Sequence, residues 1–303
     1  MTEPDFSVDI AGIRLRNPVI AASGTFGYGS EYAGLLDVSA LGGICTKGLT
    51  LRPKAGNQGE RLCETPSGLL NSIGLENPGI EAFIEKELPR MKELGPAVIV
   101  NLAGEDVDEY AEGAKLLNDA AVDMIELNIS CPNVKAGGMA FGLDGAAAAA
   151  VTLAVRKAAP CTPLMVKLSP NAPDITAVAR SCATAGADAF SLVNTFKAMA
   201  IDKVRRRPVF DNTFAGLSGP AIRPIALRMV WELYDVLRPK PIVGVGGIAC
   251  ANDALEFLMA GAVAVQTGSA TFARPGVMAE IIAGIERYMR QNGFTSTAEI
   301  CIR

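Results

Sequence analysis

The chain has 303 residues, with 28 Lys and Arg against 32 Asp and Glu, seven cysteines and no histidine, and half of its residues are apolar. Without imidazole, a Ser-His-Asp triad, a Cys-His dyad, a His-ligated metal and an H-E-x-x-H helix are excluded, so proton transfer must use Cys, Lys, Asp, Glu or Tyr. The formal charge of −4 provides no general attraction for nucleic acid, and small molecules or proteins are the expected partners.

The length suits one large α/β domain spanning 1–303, because barrels of this class often exceed 250 residues as a single unit. The cysteines at 45, 63, 131, 161, 182, 250 and 301 are odd in number and form no C-x-x-C pair. Reduced thiols in a cytoplasmic protein are expected, with no metal cluster held by this chain. The opening MTEPDFSVDIAG is acidic and lacks the apolar core of a signal peptide. The most apolar stretch, GAAAAAVTLAV (145–155), is too short to span a bilayer, so no membrane association is expected.

Eight short apolar runs follow one another along the chain. VIAASG (19–24) ends near Ser23, and GICTKG (43–48) contains Lys47. Between the second and third runs, ETPSGLLNSIGLENPG (64–79) brings Asn71, Ser72 and Asn77 among closely placed glycines, an uncharged hydrogen-bonding segment suited to a flat polar molecule. VIVNLAG (98–104) carries Asn101 and leads into a helical pattern over 105–121. MIELNIS (124–130) carries Asn128 and leads into the loop NISCPNVKAGGMAFG (128–142). After a helical pattern over 144–159 comes LMVKLS (164–169) with Lys167, then another over 174–187, then AFSLVN (189–194) with Asn194. A long insertion at 195–220 contains Arg205–Arg207 and ends in GLSGP. PIVGVGG (241–247), a helical pattern over 252–262 and AVAVQTG (262–268) complete the series. Continuous apolar runs fit parallel strands covered on both faces, and Asp or Asn at the helix starts suits N-caps.

Eight β/α repeats predict a (β/α)8 TIM barrel with active-site loop insertions after strands 2, 4 and 6. An open doubly wound sheet shares the periodicity, but the count of eight and the length favour closure. In a barrel, functional groups collect at the C-terminal strand ends, where Ser23, Lys47, Asn101, Asn128, Lys167 and Asn194 fall. Lysines inside apolar runs are costly without a partner, so Lys47 and Lys167 point to an anionic or electron-rich ligand. The turns GVGGIA (244–249) and TGSATFARPG (267–276) follow the seventh and eighth strands, where barrels hold phosphate, as in FMN or a phosphorylated substrate. Cys131 lies just past the fourth strand, on a loop whose Pro132 and glycines Gly137 and Gly138 suit a closing flap, and is the leading base or nucleophile. Cys45, Cys161, Cys182 and Cys250 read as inert core thiols. The Arg205–Arg207 run reads as a solvated loop or partner contact.

Taken together, NISCPNVKAGGMAFG, TKGLT (46–50), NSIGLENPG (71–79), KLSPN (167–171), SLVNTF (191–196), GLSGP (216–220) and IVGVGGIACANDALEFLMAGA (242–262) resemble the class 1 dihydroorotate dehydrogenases over almost the whole chain. Asn-Val-Lys after Ser-Cys-Pro, followed by Gly-Gly-Met, is similar to subclass B. Several members carry His after that Lys, where this chain has Ala136; the Cys is intact. Class 2 enzymes differ in a serine base and an N-terminal membrane-associating extension.

The resemblance implies an FMN barrel that oxidises (S)-dihydroorotate to orotate in pyrimidine biosynthesis, with one FMN per chain. It further implies a homodimer of barrels joined to electron-transfer subunits carrying FAD and a 2Fe-2S cluster, a heterotetramer that passes electrons to NAD. Carried over by residue, Cys131 would remove the C5 proton while hydride passes from C6 to FMN. Lys47, Asn71, Ser72, Ile73, Gly74, Leu75, Asn128, Asn133, Asn194 and Thr195 would bind substrate. FMN would be held by Ser23, Lys47, Gly48, Asn101, Asn128, Lys167, Val193, Gly219, Gly246, Gly247, Gly268 and Ser269. The rivals are a dihydropyrimidine dehydrogenase-like barrel acting on uracil or thymine, a fumarate-dependent class 1A enzyme, a flavin-free barrel for a phosphorylated metabolite and a structural subunit of a redox complex. Lys47 favours a carboxylated substrate over neutral uracil.

Overall fold

The computed structural model describes residues 3–130 and 141–303. Eight parallel strands close into a barrel: β1 (Val19–Ala21), β2 (Gly43–Cys45), β3 (Ala97–Leu102), β4 (Met124–Asn128), β5 (Leu164–Lys167), β6 (Ala189–Leu192), β7 (Ile242–Val245) and β8 (Ala264–Thr267), each paired with its sequence neighbour and β8 with β1. Every predicted strand is present, because each lies buried on both faces and is written as a continuous apolar run.

The helices outside the barrel are α1 (Leu88–Leu94), α2 (Val107–Asp119), α3 (Gly145–Ala158), α4 (Ile175–Thr184), α5 (Arg223–Leu237), α6 (Ala251–Met259) and α7 (Val277–Asn292), with a single turn at Ala270–Ala273. Asp106, Asp144 and Asp174 cap α2, α3 and α4, each carboxylate accepting a backbone N–H at 2.8–2.9 Å. Such caps contribute about 1 kcal/mol each. At α6 the expected cap, Asn252, lies inside the helix. The chain turns two residues earlier at Cys250, because the Asp253 carboxylate accepts from the amides of Ala249 at 2.9 Å and Cys250 at 3.1 Å.

Side chains alternate along each strand. Outward residues such as Val98, Ile125, Leu164, Phe190 and Val265 join the helices in the main core. Inward residues Ile20, Cys45, Ile99, Met124, Met165, Ala189, Val243 and Ala264 form a second, smaller apolar cluster. An N-terminal antiparallel hairpin, Val8–Ile10 with Ile13–Leu15, adds Val8, Ile10 and Leu15 to that cluster and seals the N-terminal end of the barrel.

Two insertions expected as loops build a sheet instead. Leu62–Thr65 pairs with Gly68–Asn71 as a hairpin, Gly68–Asn71 pairs with Ala215–Ser218, and Ala215–Ser218 pairs with Phe196–Ala198. The sections after β2 and β6 thus form one antiparallel platform. Arg205 and Arg206 lie on an exposed turn between Ile201–Asp202 and Arg207–Pro208, with Arg205 3.7 Å from the Asp202 carboxylate. Among the described residues no helix is long and apolar enough to cross a membrane.

Candidate active site

Above the apolar layer, the next inward positions are polar. Two residues beyond Met124 on β4 comes Glu126, fully buried, and its register neighbours are Asn101 on β3 and Met165 on β5. Its carboxylate accepts from five side chains. Asn101 Nδ2 at 2.6 Å, Lys167 Nζ at 3.2 Å and Cys45 Sγ at 3.2 Å meet Oε1; Gln266 Nε2 at 2.7 Å and Ser191 Oγ at 2.8 Å meet Oε2. Burial opposes ionisation here, yet the Lys167 ammonium and the donors Gln266, Ser191 and Asn101 outweigh it and hold the carboxyl below its ordinary range. Burial and then the Glu126 charge push the Cys45 thiol well above its usual value, so it keeps the proton it donates.

Lys167 and Asn101 were expected at the site, whereas Glu126, Ser191 and Gln266 were not. A signal was present: Glu126 is the one carboxylate inside any of the eight apolar runs. Cys45 is buried as expected but serves as a donor within this polar layer. Cys182 is buried too, and burial raises its thiol to about 11. Cys161 and Cys250 depart from expectation, being exposed, because one sits in the turn before β5 and the other caps α6.

One layer higher, a chain of amides connects the strand ends. Asn128 Nδ2 donates to Asn101 Oδ1 at 3.2 Å, and its own Oδ1 accepts from Ser130 N at 3.2 Å and Oγ at 2.7 Å. Ser130 Oγ in turn accepts from Asn194 Nδ2. Asn194 Oδ1 accepts from Thr195 N at 2.8 Å, and the Thr195 carbonyl accepts from Asn171 Nδ2 at 3.2 Å. Asn71 joins from the platform, donating to the Gly216 carbonyl at 3.2 Å; a Cβ on Gly216 would lie 2.2 Å from Thr195 Oγ1. Ser130 and Asn171 belong to this chain without having been singled out.

Lys47 is half-buried at the end of β2, beside Asn101, whose amide donates to Thr46 Oγ1 at 3.1 Å. After Arg61, the charge of Lys47 is a further cause holding the Glu76 carboxyl low. A Cβ on Gly48 would lie 2.7 Å from Leu75 Cδ2 and 3.1 Å from Asn101 Oδ1. Gly74 and Leu75 are consecutive residues with positive φ, 78° and 56°. For a leucine that conformation costs about 1–2 kcal/mol. Ser72 Oγ accepts from Asn57 at 3.0 Å and the Ile73 carbonyl accepts from the Asn57 amide at 2.9 Å, so both brace the insertion itself.

On the opposite side, Gly219, Gly246 and Gly247 have φ of 98°, 134° and 71°. A Cβ on Gly247 would stand 2.7 Å from the Gly219 carbonyl, and one on Gly246 3.7 Å from Val193 Cγ2. Gly268 approaches Ala22 at the end of β1, next to Ser23, and Ser269 opens the Ala270–Ala273 turn. This glycine-rich rim after β7 and β8, where the backbone can approach a ligand closely, fits phosphate. With a cation and three amide side chains alongside, the donor set fits a phosphate-bearing planar cofactor. Cys131 and Asn133 lie outside the described residues.

A family model described as dihydroorotate dehydrogenase matches residues 6–289. The chain is 53% identical over 296 residues to the catalytic subunit of dihydroorotate dehydrogenase B (NAD(+)) from Petrotoga mobilis, covering 98% of each protein. It is 53% identical over 301 residues to the protein of the same name from Geotalea daltonii, with 99% of this chain and 98% of that one covered. The Caldicellulosiruptor bescii protein of that name is 51% identical over 296 residues.

Proposed function

Because the chain belongs to the dihydroorotate dehydrogenase family, we propose that it oxidises (S)-dihydroorotate to orotate in pyrimidine biosynthesis, as the catalytic, FMN-bearing subunit of an NAD-linked enzyme in the cytoplasm. The observation that carries this is the pairing of an amide-rich, lysine-bearing barrel mouth with the full-length similarity to subunits of that name.

Bound FMN would supply a two-electron acceptor for the hydride given up at C6 when the C5 proton is removed and the C5=C6 bond of orotate forms. Gly219, Gly246, Gly247, Gly268 and Ser269 would hold its phosphate through backbone amides, with Ser23 and Val193 against the adjoining portion. Asn101, Asn128, Gly48 and Lys167 would meet the ring, where the Lys167 cation favours added negative charge. Lys47 would bind the substrate carboxylate. Asn71, Asn128, Asn133, Asn194 and Thr195 would fix the pyrimidine edge by amide and hydroxyl hydrogen bonds. The left-handed Gly74–Leu75 backbone supports a role for that turn against the substrate. Cys131 would take the C5 proton, since no histidine exists to do so.

A catalytic subunit requires a companion, and the NAD(+) in the relatives' names requires an onward path for electrons. A partner carrying FAD and a 2Fe-2S cluster, in a heterotetramer around a barrel dimer, would supply it. Anaerobic mixing separates the substrates. Dihydroorotate should bleach the flavin and dihydrouracil should not; bleaching by both, or by dihydrouracil alone, would contradict the proposal.

A further inference from the structure

The interior of the barrel poses an electrostatic question that substrate binding does not answer. Glu126 is completely buried, one layer above the cluster that contains Met124 from the same strand and that is apolar apart from the Cys45 thiol. A methionine or leucine there would avoid the cost of removing a carboxylate from water, and a buried ion pair is often no more stabilising than well-packed apolar residues. Stability alone therefore gives weak reason for this pair. Five donors from β2, β3, β5, β6 and β8 converge on the one carboxylate, two of them, Asn101 and Lys167, from the proposed cofactor site. Lys167 is itself 4% exposed, so its ammonium is poorly screened by solvent and Glu126 is its ion-pair partner at 3.2 Å.

We infer that Glu126 is a positioning residue that tunes the reduction potential of the bound flavin, by anchoring Lys167 and offsetting its charge from beneath. The inference rests on the flavin reading above and deepens it. An unopposed Lys167 cation would stabilise the anionic reduced flavin strongly and make it a poorer donor to the next electron carrier. With Glu126 below, the pair is neutral overall, and Lys167 keeps its hydrogen-bonding geometry while exerting a smaller field. The remaining donors, Ser191, Gln266 and Cys45, keep the carboxylate fixed without adding charge.

The test is the midpoint potential of the flavin in the full chain purified with its cofactor, titrated spectroscopically against reference dyes. Glu126→Gln keeps the shape and removes the charge, and its potential should move positive of the wild type. Glu126→Asp, which keeps the charge, should stay closer to wild type than Glu126→Gln. The double variant Glu126→Gln/Lys167→Met restores neutrality and should return toward the wild-type potential. A purely packing role would leave the potentials alike, or make the double variant the most perturbed. If Glu126→Gln does not retain flavin, the comparison of Lys167→Met with the double variant decides: the double must lie positive of the single. A flavin-loaded Glu126→Gln at or below the wild-type potential, or no positive step between those two, overturns the inference. Wild-type chain purified without visible flavin absorbance would instead overturn the flavin reading itself.

Discussion

The residues proposed to carry the chemistry differ in how visible they are. Lys47 and Lys167 announce themselves as cations inside apolar runs, and their neighbours at the mouth follow from barrel geometry. Glu126 is as conspicuous by composition, yet its meaning depends on side chains from five strands whose convergence no local pattern states. Because its folded carboxyl titrates below the ordinary value of 4.5, its contribution to stability is complete above that pH and is lost as pH falls through the lower folded value. Urea midpoints measured from about pH 7 down to about pH 3 should thus decline more steeply for wild type than for Glu126→Gln; parallel profiles would show that the carboxylate adds nothing. Cys131, outside the described residues, stands out in sequence by its place after β4 and the lack of histidine, and its role as base is the proposal that the family resemblance adds. Cys131→Ala should keep its flavin while reduction by dihydroorotate slows by about 10²–10⁴-fold in anaerobic stopped flow, and an unchanged rate would remove it from the mechanism.

Among elements, the barrel strands were readable because double-sided burial writes itself as uninterrupted apolar residues, and the caps of α2, α3 and α4 because an Asp precedes each helix. The antiparallel platform was not, since Gly68–Asn71 finds its partner at Ala215–Ser218, far along the chain, and pairing at that distance leaves only alternation and a Pro-Ser-Gly turn as local traces. The N-terminal hairpin pairs locally across Ala11–Gly12, but its three core residues acquire meaning only against the barrel floor. Ile10 is fully buried there, so Ile10→Ala should cost about 2–5 kcal/mol in chemical unfolding. The flavin potential of that variant should be unchanged, as the apolar layer separates Ile10 from the mouth. Gly247→Ala, by contrast, demands a side chain at φ 71° with 2.7 Å to the Gly219 carbonyl. Weaker FMN retention on dialysis is the expected result, with dihydroorotate affinity of the loaded fraction preserved.

For the molecule as a whole, a cofactor bound only by the folded state should raise its stability. At a free FMN concentration of about 100 times Kd the gain is about 2.7 kcal/mol. Chain stripped of flavin should therefore melt at a lower temperature, and titrating FMN back should restore the transition in proportion to the logarithm of its concentration. An unshifted melt would argue that the rim does not bind FMN. The hairpin that closes the N-terminal end has a consequence for traffic. A barrel whose interior is packed by apolar side chains and closed below by Val8, Ile10 and Leu15 offers no path through it, so a spent molecule should leave on the side from which the fresh one arrives. Orotate should accordingly behave as a competitive inhibitor against dihydroorotate, and turnover at high product should be limited by vacating that side and not by the bond-making step.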